Sequence, residues 1–209
     1  MARDLTRIGI LGGSFNPAHR GHRAISLATL QALDLDEVWW LVSPGNPLKE
    51  KSGDMAPLAA RFASARLMAR QAPIRVSTIE VRLGTRYTVD TIVKLNRLYP
   101  KKQFIWLMGA DNLVQFDRWR GWRRIAREVP IAVIARPGYD APAHAAPAMG
   151  WLRRFIRPAH QAKSWTKWRM PALVLLRFRS DPTSATRLRK ADPAWQRRFL
   201  PPNLSTPST

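Results

Sequence analysis

Cysteine is absent from all 209 residues. That removes disulfide staples and thiolate metal sites together, and nothing else points to an oxidising compartment. Acidic residues are scarce, with 14 Asp and Glu against 35 Lys and Arg and a formal net charge of +21. Carboxylates nowhere cluster in a way that suggests a protein-built metal cage. No apolar run approaches the roughly 20 residues of a membrane span. The first apolar run opens at Ile8, too early for a secretory leader, so a cytoplasmic chain without membrane contact is expected. What is present is a hydrophobic content of 45%, enough for a full core. Residues 1–200 are expected to form a single domain, and the polar, Pro-rich 201–209 a flexible tail.

The chain is organised around Ile8 to His22, IGILGGSFNPAHRGH. Ile8, Ile10 and Leu11 form an apolar run that stops at Gly12-Gly13, and a helical pattern begins near His19. That is a strand, a glycine turn and a helix. Such a turn lets backbone approach a ligand, and the first helical turn offers free N–H groups, so phosphate is the natural guest. His19 and His22, three apart, share a helical face toward the same anion. The spacing is neither a dinucleotide GxGxxG nor a GxxxxGK[ST] P-loop.

Apolar periodicity places a helix over 19–33 and a buried strand over 38–42 (VWWLV), with Trp39 and Trp40 in the core. The loop 43–54 carries Asn46, Lys49 and Lys51 at a strand's carboxyl end, where α/β sheets bind ligands. A helix follows from Pro57 to Ala72, a strand over 74–79, and a helix over 88–98 that Thr88 can cap. FIWLM at 104–108 reads as a strand turning at Gly109 into a helix capped by Asp111. Further strands are expected over 129–135 and 171–178, and a last helix over 192–199. Between the two strands, 139–170 reads as an irregular basic excursion with one short helix near 151–156. It could pack on the core, meet another subunit, or bind nucleic acid through its Arg and Trp residues. Repeated β-α units call for an α/β fold, a doubly wound parallel sheet with helices on both faces.

GGSFNPAHRGH resembles the signature of the HxGH nucleotidyltransferases, and GADNLVQFDRWRGW resembles their nicotinate-nucleotide adenylyltransferase branch. The resemblance implies a Rossmann-like three-layer α/β/α nucleotidyltransferase fold and an ATP site of Gly12, Gly13, Ser14, Phe15, His19, His22, Gly109 and Asp111. SDPTSATRLR at 180–189 resembles the superfamily's ISSTxIR motif, adding Ser184, Thr186 and Arg189, with departures at Thr183 and Ala185. TRYTVDT resembles an SYTxxT stretch that meets the acceptor, which implies Thr85, Tyr87 and Thr88, together with Asn46 and Lys49 from the earlier loop. Trp119 is the implied stacking platform for a pyridine ring, while Trp122 reads as structural.

The expected chemistry is adenylyl transfer from ATP to nicotinate mononucleotide in NAD biosynthesis. His19, His22, Lys49 and Arg189 would act on the phosphates, and Mg²⁺ would arrive with ATP rather than in a protein metal site. Two alternatives remain: another adenylyltransferase of the superfamily, taking nicotinamide mononucleotide or phosphopantetheine, or a basic nucleic-acid-binding protein on this fold. The partners expected are the two small-molecule substrates, with a homo-oligomer left open. Nucleic acid is not expected despite the charge: it would account for +21 but not for the intact catalytic motifs, and because a positive surface also steers anionic substrates, charge alone does not separate the readings.

Overall fold

The structure, a computed structural model, describes residues 5–45, 55–135, 138, 140–178, 181 and 183–200. Asn46, Lys49 and the 201–209 tail lie outside the described residues. The first half runs β1 (Thr6–Gly13), α1 (Arg20–Ala32), β2 (Glu37–Val42), α2 (Leu58–Met68), β3 (Ile74–Ser77), α3 (Ile79–Leu83) and α4 (Thr88–Leu98). The second runs β4 (Lys102–Gly109), α5 (Ala110–Leu113), α6 (Trp122–Glu128), β5 (Ile131–Ile134), α7 (Asp140–His144), α8 (Met149–Leu152), β6 (Ile156–Arg157), β7 (Leu173–Leu176) and α9 (Ala185–Ala191). Short 3₁₀ turns occupy Phe116–Arg118, Arg153–Phe155, Ala159–Lys167 and Trp195–Phe199.

Seven parallel strands pair in the order β3-β2-β1-β4-β5-β7-β6. Both faces are covered, and the strand sequences show why. Side chains alternate across a strand, so a continuous apolar run buries on both sides. Ile8, Ile10, Trp39, Leu41, Phe104, Trp106 and Met108 face one core, shared with Ile92 and Leu95 of α4 and Ile125 of α6. Leu11, Val38, Trp40, Val42, Ile105 and Leu107 face the other, shared with Leu33, Ala65 of α2 and Trp165. Each fully buried large apolar side chain stabilises by about 1.5–3 kcal/mol. Trp39 and Trp40, 2% and 0% exposed, are core residues as expected.

From β1 the chain winds outward through β2 to β3, and from β4 it winds the other way, so the direction of winding switches between β1 and β4. In such sheets the crevice at the carboxyl ends of the switching strands binds ligands. Here those ends are Gly13 and Gly109.

Several expectations are corrected. The strand expected over 74–79 ends at Ser77, and Ile79 begins a helix instead. The second helix closes at Met68, not Ala72, and the fifth strand shortens to Ile131–Ile134. The last segment is a 3₁₀ turn over Trp195–Phe199, not a helix over 192–199. Thr88 is the first residue inside α4 while Tyr87 holds the cap position, and Gly109 rather than Asp111 holds that position on α5. The excursion is more ordered than read. It carries two short helices, and Ile156–Arg157 adds an edge strand against β7. Trp165, 2% exposed, donates its indole N–H to the Leu33 carbonyl at 2.9 Å, so that part packs on the core.

Candidate active site

A cleft of about 650 Å³ opens at the β1/β4 switch point. Its floor is the glycine turn. A Cβ on Gly12 would sit 2.6 Å from Cη2 of Trp106, so only glycine lets β1 pass over that indole. Phe15 then turns the chain with φ of 47°, a left-handed conformation disfavoured by roughly 1–2 kcal/mol for a residue with a side chain. Its ring compensates by burying completely and stacking on Trp40 at 5.0 Å.

This anchor sets the two imidazoles. His19 occupies the cap position of α1 in extended conformation, and its backbone N–H donates to Nδ1 of His22 at 3.2 Å. With Nδ1 accepting, the neutral ring carries its proton on Nε2. The rings lie 3.8 Å apart, and His22 also contacts Phe15 at 4.8 Å. Gly21 between them has no side chain for a reason. A Cβ there would lie 2.9 Å from His19 Nδ1 and 3.2 Å from the Thr183 carbonyl, which presses against the pair from the far end of the chain.

That far end is the 181–189 segment. Ser184 caps α9, accepting from the Arg187 N–H at 3.3 Å, and both Ser184 and Thr186 line the cleft. The Thr183 N–H donates to Asp181 at 2.8 Å. Hydrogen bonds from Thr183 hold that half-buried residue's carboxyl below its usual range, aided by Arg20 and His19. Arg189 stands behind the wall rather than in it, and its guanidinium donates to the Asn16 carbonyl at 2.7 Å, tying α9 to the glycine loop.

Opposite, Tyr87, Thr88, Trp119, Arg86, Arg118 and Arg120 line the wall. Trp119 is braced edge-to-face by Trp106 at 6.1 Å and Phe116 at 5.4 Å, while the Arg120 guanidinium covers Tyr87 at 4.7 Å. Trp122 packs on Phe116 at 5.8 Å, away from the cleft lining. Thr85 is buried behind the wall, its hydroxyl 2.9 Å from that of Thr91. The cleft thus gathers Gly12, Gly13, Ser14, Phe15, His19, His22, Gly109 and Asp111 with Tyr87, Thr88, Trp119, Ser184 and Thr186.

A model of the cytidylyltransferase-like family matches residues 10–191. A relative from Erythrobacter litoralis, described as a probable nicotinate-nucleotide adenylyltransferase, is 61% identical over 92% of this chain and 88% of its own. The chain belongs to the nicotinate-nucleotide adenylyltransferase family. A second relative, from Parvibaculum lavamentivorans and described in the same words, is 50% identical over 88% of this chain and 91% of its own. The fold is shared more widely. The Plasmodium falciparum nicotinic acid mononucleotide adenylyltransferase, solved in complexes with APC and with NaAD, matches with a TM-score of 0.64. That match is 15% identical and covers 88% of this chain and 83% of the other.

In this member of the nicotinate-nucleotide adenylyltransferases, three residues that sequence reasoning passed over support the cleft. Arg61, 1% exposed, sits on the buried side of α2. Its guanidinium donates to the carbonyls of Ala56 at 2.8 Å, Ser14 at 2.8 Å, Ser43 at 2.7 Å and Pro44 at 3.3 Å. One side chain therefore binds the glycine loop to the loop leaving β2, and burial lowers its pKa. A charged residue at helical spacing among Leu58, Phe62 and Ala65 was the available signal. Trp106 looked like one more core aromatic in FIWLM. Glu80 lines the cleft and accepts from the Thr91 hydroxyl at 3.0 Å; burial raises its pKa, partly offset by that bond.

Proposed function

We propose that this chain transfers the adenylyl group of ATP to nicotinate mononucleotide, releasing pyrophosphate and forming nicotinate adenine dinucleotide for NAD biosynthesis. The observation that carries the reading is the single cleft that joins the paired imidazoles and Ser184–Thr186 to the Trp119 wall. The acceptor phosphate is already an anion at neutral pH, so no general base is needed. An oxygen of that phosphate attacks the α-phosphorus of ATP in line. The bond to the bridging oxygen breaks, and pyrophosphate leaves with the electron pair. Catalysis then reduces to holding two anions together while charge grows on the leaving group.

His22 and His19 meet the departing phosphates at the first turn of α1, and Ser184 and Thr186 offer hydroxyls from the start of α9, past the carboxyl end of β7. Lys49 follows β2 in sequence, outside the described residues, and is proposed as a further phosphate contact. Arg189 supports the site through Asn16. Trp119 stacks the pyridine ring, with Arg118 and Arg120 beside it for the carboxylate. No group of three His, Asp or Glu gathers among the described residues. Mg²⁺ would come with ATP and would neutralise charge on its phosphates.

The test is pyrophosphate release from ATP and Mg²⁺ with nicotinate mononucleotide, nicotinamide mononucleotide and phosphopantetheine supplied in parallel. Strong release with the nicotinate acceptor is expected. Release with phosphopantetheine alone, or silence with all three, would overturn the assignment.

A further inference from the structure

Beyond the cleft, one part of the basic surface sets arginines on aromatic rings. Helix α6 and the 149–157 segment meet through Trp122 and Trp151, whose rings lie edge-to-face at 5.5 Å, and Trp151 continues onto Phe155 at 4.9 Å. All three aromatics are half-buried, and exposed arginines cover them. The Arg123 guanidinium lies 4.6 Å from the Trp122 ring and 5.9 Å from Trp151. Arg127 lies 5.6 Å from Trp151, and Arg154 lies 5.9 Å from Phe155. Arg153 and Arg154 are further oriented by bonds to the carbonyls of Met149 and Trp151. The local counter-charge is Glu128, 3.4 Å from exposed Arg124, a pair that contributes little.

A guanidinium laid on an aromatic face keeps its N–H donors in its own plane, free for phosphate oxygens, while its outer face can take a base. Several such groups, pre-oriented on one surface, match a flexible strand that alternates phosphates with flat rings. An acidic peptide offers carboxylates without the rings. A membrane would call for bare apolar side chains to insert, and here the aromatics lie beneath the arginines. We propose that the surface formed by α6 and residues 149–157 binds single-stranded nucleic acid, a role separate from adenylyl transfer. Charge alone does not separate nucleic-acid binding from the steering of anionic substrates, and the placement of these arginines on aromatic faces is what favours nucleic acid here.

The experiment uses fluorescence anisotropy of a labelled oligouridylate of about 12 nucleotides with the full chain between about 50 and 250 mM KCl. Arg123→Gln, Arg127→Gln and Arg154→Gln are combined in one variant. A control combines Arg66→Gln, Lys163→Gln and Lys167→Gln, which removes the same charge from exposed positions elsewhere. The surface variant is expected to bind about tenfold more weakly, with the log–log salt slope reduced by about 2, while the control loses less than about threefold. Equal losses in the two variants would overturn the proposal, as would displacement of the oligonucleotide by saturating ATP, or polyglutamate binding as tightly. Photocrosslinking of wild-type protein is an independent readout: adducts within 122–128 or 149–157 support the surface, and adducts confined to cleft residues overturn it.

Discussion

His22 is fixed by backbone on one side and by aromatic rings on the others, through the bond from His19 N–H at 3.2 Å and the contact with Phe15 at 4.8 Å. Its imidazole can therefore meet a developing charge without reorganising, and that is where such a donor acts most strongly. His22→Ala is expected to lower kcat by about 10²–10³-fold with the thermal midpoint little changed; wild-type turnover would remove the imidazole from the reaction. Arg61 has the opposite profile, since it acts through other residues. Arg61→Met should leave the carbonyls of Ser14, Ser43 and Ala56 buried without their donor and destabilise by about 3–5 kcal/mol in urea unfolding, with ATP KM raised as the glycine loop loosens. Unchanged stability would show that the carbonyls find water instead. Glu80 carries a pH signature. Its folded pKa lies above the ordinary 4.5, so the folded state holds the proton more tightly than the unfolded chain does. Its contribution is favourable at low pH, and stability is lost as pH rises from the unfolded value through the raised folded one. Glu80→Gln should therefore gain on wild type in urea midpoint from pH 4 to pH 7, and a constant difference would contradict the burial effect.

At the scale of elements, the strands were legible because long apolar runs with β-branched and aromatic residues leave few alternatives to burial on both faces. The cleft was legible for a related reason, since its loops leave those same strands at the edge where the winding switches. Local capping was less so. Thr88 and Asp111 have the chemistry of caps, yet each helix begins one or two residues earlier, and the residues enter the first turn instead. Helix α3, IEVRL, hides behind β-branched residues that favour a strand, and β6 is a pair of residues with no periodicity to detect. Register across strands was invisible too, and it decides one glycine. Trp106 pairs with Ile10, two residues before Gly12 and on the same face, so its ring, 4% exposed, fills the space a methyl on Gly12 would need. Because that ring is enclosed, Gly12→Ala is expected to destabilise by about 1–3 kcal/mol and to lower activity by displacing the turn. A stable, fully active variant would mean that Trp106 can swing aside.

For the whole molecule, a net charge of +21 acts in two directions at once. Like charges repel within the folded state, and ion pairs such as Arg7–Asp34 at 2.6 Å draw on acids that are already scarce. The same field draws two polyanionic substrates toward a cleft lined by Arg86, Arg118 and Arg120. Salt screens both effects, with a Debye length near 10 Å at 0.1 M. Raising KCl from about 50 to 300 mM should therefore lower kcat/KM for ATP several-fold, leave kcat nearly constant, and raise the thermal midpoint by a few degrees. The paired readout separates causes. A loss of kcat/KM with a falling midpoint would point to salt-induced loosening of the fold, whereas a flat kcat/KM with a rising midpoint would mean that the field lies away from the cleft. Only opposite movements of the two fit a charged surface that destabilises the chain slightly while gathering its substrates.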